Sequence, residues 1–334
     1  MKKILIFILS ACTLCCCFCF ASSAMSKNEG LDALRTQFFA DNSSPLDYVA
    51  YSPVKGKSDT TKYPLVVWTH GKSSGDYPGH QLVKGDCDIA LWSSEEYQHR
   101  FKNAGGAFLL LLRCPTDTSV LPWGIERRED SKKTIDDFIA KNPNVDTSRI
   151  YLGGYSLGGK MVYLLASEYP DFFAAVFPLS ATYPVSANEL RNMRSVPMWL
   201  FTNVNDYKTP SVIYSTSVKP NWDYYSKNAD NPQNSRMTTF EVNHNPDGSI
   251  NDNNHNTWNA VVHDLFMDNG EPFPTAKTVD GNGNEITLTQ TDSFLSWLSS
   301  QSLENRDREE QPSKQSFFQK IIELLKKIFE LIFG

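Results

Sequence analysis

Gly154-Tyr155-Ser156-Leu157-Gly158 decides the reading of this 334-residue chain. Residues 148–153 before it, with Ile150, Tyr151 and Leu152, read as a short buried strand, and residues 158–167 after it read as a helix. A serine between a strand and a helix sits on a sharp turn whose strained backbone angles tolerate only small neighbours. Its hydroxyl then stands clear of the sheet, and the helix N-terminus behind it favours developing negative charge. Ser156 is therefore the candidate nucleophile. The alternative is a glycine-rich turn with an incidental serine, and the residues around the motif weigh against it.

Working outward, residues 63–69 and 107–112 are continuous apolar runs, the pattern of strands covered on both faces. Residues 46–51 alternate like an edge strand. Residues 128–141 predict a helix with Ile135, Phe138 and Ile139 on one face and charge on the other. Strands are expected again at 172–177, 197–202 and 236–242, with a short helix at 187–193. This alternation predicts an α/β protein with a mostly parallel, doubly wound sheet and helices on both faces. Residues 268–290 break the scheme. Asp280-Gly281-Asn282-Gly283 reads as a hairpin turn, and the segment is expected to be an insertion before a final helix holding Phe294, Trp297 and Leu298.

A serine needs a base and an orienting acid to act as a nucleophile. Asp206 lies just past the strand expected to end at Thr202, where an acid can point at the site. Of six histidines, His255 follows a long Asn-rich loop and precedes a helical stretch, the position from which a base can reach back to the serine, with His244 in reserve. The oxyanion hole needs two backbone N–H donors. Leu157 supplies one, and the turn at His70-Gly71-Lys72-Ser73 supplies the other through Lys72 or Ser73. Trp123, Trp258 and Tyr155 are candidate substrate-binding aromatics, with core packing the competing reading. Residues 243–250 echo a calcium loop but lack an acid at the first position, and Asn254 stands where the closing glutamate belongs. No metal or cofactor is expected.

The net charge of −6 offers no basic footprint for nucleic acid. Residues 1–24, with Lys2 and Lys3 before an apolar run and Ala21-Ser22-Ser23-Ala24 at its end, predict a removable export signal. A membrane anchor and a lipoprotein acylated at Cys12 are the alternatives. Five of the seven cysteines fall in that segment, leaving Cys87 and Cys114, which an exported protein can pair. Such a loop closure contributes on the order of 3 kcal/mol. A hydrolytic domain is expected over 25–300 and a polar linker over 301–316. Residues 317–334 are expected to form an amphipathic helix with Phe, Ile and Leu on one face and Lys and Glu on the other. That face suits a membrane surface or a partner, with docking back on the hydrolytic domain as the alternative.

Residues 65–71, 154–159, Asn205-Asp206 and 255–258 together resemble the α/β-hydrolase superfamily. Within it the chain resembles secreted esterases related to polyhydroxybutyrate depolymerases, feruloyl esterases and prolyl-oligopeptidase-type hydrolases. The resemblance covers about residues 45–300. It implies the α/β-hydrolase fold and acyl-enzyme chemistry, with Ser156 as nucleophile, His255 as base and Asp206 as its orienter. The short stretch between Ser156 and Asp206 leaves little room for a large cap, so an open site is expected. Together these features predict an exported serine esterase acting on acetyl or feruloyl esters of plant polysaccharide. A prolyl-oligopeptidase-type peptidase and a surface binding protein with an inactive site are the other readings.

Overall fold

In the computed structural model, the described residues are 27–306, apart from 73, 78, 80, 86, 87, 102, 103, 115–122, 182 and 208–213. The expected export signal with Cys12, the tail helix, most of the linker, Ser73 and Cys87 therefore lie outside the described residues.

The strands, in chain order, are β1 (Phe39–Asp41), β2 (Asp47–Tyr51), β3 (Tyr63–Thr69), β4 (Phe108–Arg113), β5 (Val145–Tyr155), β6 (Ala175–Leu179), β7 (Trp199–Asn203), β8 (Arg236–Phe240), β9 (Asn243–His244), β10 (Ile250–Asn251), β11 (Lys277–Asp280) and β12 (Glu285–Ile286). All but β9 and β10 form one sheet in the order β1-β2-β4-β3-β5-β6-β7-β8-β11-β12. From β4 to β8 every pairing is parallel. β1, β2, β11 and β12 add antiparallel margins. Every residue of β3 is buried, as an apolar run between two helical layers requires. Each such Val or Leu contributes about 1.5–3 kcal/mol over its exposed state.

The helices are α1 (Lys27–Arg35), α2 (Gln81–Gly85), α3 (Glu95–Arg100), α4 (Arg128–Lys141), α5 (Leu157–Glu168), α6 (Ala187–Asn192), α7 (Lys219–Asn228), α8 (Trp258–Val262) and α9 (Phe294–Ser300). One apolar core joins Ile135 and Phe138 of α4, Met161 of α5, Leu190 of α6 and Trp222 of α7 to one side of the sheet. A second joins Leu31 of α1, Leu82 of α2, Val261 of α8 and Phe294 of α9 to the other. The doubly wound sheet expected from the sequence is thus present, covered on both faces.

Residues 268–290 contain the expected hairpin, β11 against β12, and β11 also pairs with β8 along Lys277–Asp280, extending the sheet. The expected linker begins packed, because Gln301 and Ser302 are buried and the Tyr151 hydroxyl donates to the Gln301 carbonyl at 3.0 Å.

Candidate active site

Ser156 sits between β5 and α5 with φ 56° and ψ −119°. A left-handed φ at a non-glycine residue is costly and persists only where surrounding contacts enforce it. Here they do. The Ser156 N–H donates to the Leu179 carbonyl at the end of β6 at 2.8 Å. A Cβ at Gly158 would run into the Thr69 carbonyl, and one at Gly154 into the Thr69 hydroxyl, so only glycine lets α5 start this close to β3. The Thr69 hydroxyl spans the same junction, 2.9 Å from the Gly158 carbonyl and 3.2 Å from the Gly153 carbonyl.

The structure brings Ser156, His255 and Asp206 together. His255 Nε2 lies 2.8 Å from Ser156 Oγ, and its Nδ1 lies 2.6 Å from Asp206 Oδ2. The carboxylate beside Nδ1 fixes the proton on that nitrogen, which leaves Nε2 to accept the serine hydroxyl. Asp206 follows β7 and is fully buried, and His255 is 5% exposed. Thr257, two residues on, is held by a 2.9 Å hydrogen bond between its hydroxyl and that of Ser180, the residue after β6. His244 is not at the site. It lies in the β9–β10 hairpin with Nδ1 3.2 Å from the Val242 carbonyl.

On the oxyanion side, Leu157 is the first residue of α5, so its N–H has no acceptor within the helix. The loop after β3 packs on the serine turn: a Cβ at Gly71 would strike the Tyr155 ring, and the Tyr155 hydroxyl lies 2.8 Å from Ser74 Oγ. Lys72 in that loop is exposed. His70 holds the loop from beneath. Its Nδ1–H donates to the Gly71 carbonyl at 2.6 Å, and its Nε2 accepts the Cys114 N–H at 3.0 Å. Burial pushes its pKa down to about 4, so the ring is neutral near pH 7.

The candidate substrate-binding aromatics separate. Trp258 is half-buried, its ring 5.5 Å from that of His255 and 4.3 Å from that of Tyr155. Trp123 is fully buried, and its indole N–H donates to the His70 carbonyl at 2.8 Å. It supports the loop after β3 and presents no face to an open pocket. Cys114 is buried, and burial raises its thiol pKa; Cys87, the other half of the expected pair, lies outside the described residues. Among the described residues no group of three or more His, Cys, Asp or Glu is placed to hold a metal ion.

His70 was legible only as part of a His-Gly turn. Its own signal, a histidine directly after a fully apolar strand, is available in the sequence, but its second partner, the Cys114 N–H, is not.

Residues 118–233, which include Ser156 and Asp206, match the model of the prolyl oligopeptidase family. Over 91 residues the chain is 32% identical to the bifunctional acetylxylan esterase/xylanase of Neocallimastix patriciarum. That stretch is 27% of this chain and 13% of the relative. The crystal structure of a thermostable esterase is similar with a TM-score of 0.54 at 22% identity, covering 69% of this chain and 61% of that one. The chain therefore spans less than two thirds of either protein. Sheet order, the strained serine turn and the likeness to the thermostable esterase show an α/β-hydrolase fold, and parts of the chain are similar to the prolyl oligopeptidase family and to an acetylxylan esterase/xylanase.

Proposed function

We propose that this protein is a serine hydrolase that cleaves carboxylic esters through an acyl-enzyme, with acetyl or feruloyl groups on plant polysaccharide as its substrates. The observation that carries the reading is the unbroken hydrogen-bond chain from Ser156 Oγ through His255 to Asp206. Ser156 Oγ attacks the ester carbonyl while His255 Nε2 takes its proton. Asp206 stabilises the resulting imidazolium. The N–H groups of Leu157 and of Lys72 or Ser73 receive the oxyanion. His255 returns the proton to the departing alcohol, then activates the water that releases the acid and frees Ser156.

Local identity to a bifunctional acetylxylan esterase/xylanase supports the acetyl ester, and the stretch between Ser156 and Asp206, too short for a large cap, suits a group displayed on a polymer. The proposal includes export, argued from residues 1–24, and retention at a surface through the amphipathic residues 317–334.

A second reading, a serine peptidase, is favoured by the match of residues 118–233 to the prolyl oligopeptidase family. Hydrolysis of p-nitrophenyl acetate, p-nitrophenyl butyrate, methyl ferulate, acetylated xylan and a prolyl-peptide amide, each with Ser156→Ala alongside, separates the two. Serine-dependent ester turnover with the amide untouched supports the esterase. Amide turnover with silence on every ester replaces it by the peptidase.

A further inference from the structure

Asp206 and His255 sit on different loops, 49 positions apart, yet their side chains meet at 2.6 Å. A chain of asparagine amides spans the gap between these loops. Asn203, the last residue of β7, is fully buried. Its Oδ1 accepts the N–H of Asn205 at 2.7 Å, and its Nδ2 donates to Asn243 Oδ1 at 2.9 Å. Asn243, 3% exposed in β9, donates its own Nδ2 to the Asn253 carbonyl at 2.9 Å. Asn253 then accepts the His255 N–H on its side-chain oxygen at 3.2 Å. A second bridge runs back: Asn254 Nδ2 donates to the Asn205 carbonyl at 3.1 Å.

We propose that Asn203, Asn243 and Asn254 are positioning residues that lock the loop carrying Asp206 to the loop carrying His255, so that the base is oriented before substrate arrives. The inference rests on the serine hydrolase reading above and adds to it the device that sets the acid–base pair. The polarity of the relay is fixed at both ends by backbone groups, an N–H at Asn205 and a carbonyl at Asn253. Each buried link must therefore donate at one end and accept at the other. Among short side chains only asparagine does both with this reach. An aspartate at 203 would set a carboxylate against the Asn243 carbonyl oxygen. Alanine would leave buried amide and backbone groups without partners. A displacement of the imidazole by about 1 Å costs as much as a hundredfold in rate.

The test is the rate at which a small fluorophosphonate labels Ser156 in the full chain, with Ser156→Ala as blank. It is measured for the wild type, Asn243→Ala, Asn254→Ala and Asp206→Ala, and for each asparagine variant combined with Asp206→Ala. With Asp206 present, each asparagine variant is expected to slow labelling about tenfold; with Asp206 removed, it slows it less than about twofold. A merely structural role would slow labelling equally in both backgrounds, and that result, or no slowing at all, overturns the proposal. Asn254 is half-buried, so its alanine variant keeps the test open if Asn243→Ala does not fold. A wild type that takes no label sinks the nucleophile reading and this inference with it. A labelled wild type with unaffected asparagine variants sinks this inference alone.

Discussion

The His70 imidazole fastens the loop after β3 to the end of β4, accepting the Cys114 N–H at 3.0 Å while donating to the Gly71 carbonyl at 2.6 Å. The bond to Cys114 exists only while the ring is neutral, which ties the shape of the loop after β3 to pH. The folded protein holds this histidine down to about 4, against an ordinary value of 6.5, chiefly through burial. The unfolded chain thus binds a proton that the folded chain refuses between those two values. Stability falls as pH drops through that window, by on the order of 3 kcal/mol in all. Denaturant midpoints measured from pH 7 to pH 4 should fall steeply for the wild type and less steeply for His70→Gln. Equal slopes would remove His70 as the source.

Ser156→Ala is expected to lower ester turnover by at least about a thousandfold, and Asp206→Asn by a comparable factor, because an amide no longer fixes the proton on Nδ1. Steady-state kinetics on p-nitrophenyl acetate check both. Retention of more than about a tenth of the activity in either variant would move the chemistry to other residues.

Gly158→Ala should destabilise the protein by about 1–3 kcal/mol, since the new methyl group meets the Thr69 and His70 carbonyls and α5 must back away from β3. Urea denaturation gives the stability, and the ester rate gives the cost to the site. A neutral substitution would mean that this junction is looser than its contacts indicate.

Trp258→Ala should raise KM for methyl ferulate more than for p-nitrophenyl acetate. The half-buried indole, beside His255 and over Tyr155, is placed to stack on an aromatic acyl group. A pairwise gain of about 0.5–1.5 kcal/mol corresponds to a several-fold change in KM. An equal effect on both esters would leave Trp258 a packing residue.

How much of this was legible depended on the range of the interaction. The apolar runs of β3 and β4 identify themselves because strands buried on both faces have no polar positions. Residues 128–141 were expected as a helix, and the structure has that helix. The strand expected at 172–177 begins at Ala175, because Phe172 and Phe173 belong to the turn ahead of it, where their rings pack edge to face. Lys219–Asn228 gave no clear helical signal, since Pro220, Asn221 and three charged residues dilute a face that rests on Trp222 and Tyr225. The hairpin at Asp280 was readable, but its pairing with β8 was not, since a strand does not name its neighbour. At the site, the strand–helix turn at Ser156, the strand-end position of Asp206 and the loop before a helix at His255 were enough to single out the group that meets. For Trp123 the structure bears out the competing reading, core packing, which the sequence left open because an indole carries the same signal whether it faces solvent or sits beneath a loop. The run of asparagines over residues 243–254 was visible as a long loop, while its anchoring through Asn203 depends on contacts 40 residues away.

The margins of the sheet carry a consequence for how copies of this protein meet. Ten strands end, among the described residues, in β1 with three residues and β12 with two. Ladders that short offer a stranger's backbone few hydrogen bonds. Edge-to-edge growth into fibrils is disfavoured at the very places where a broad sheet is otherwise most vulnerable.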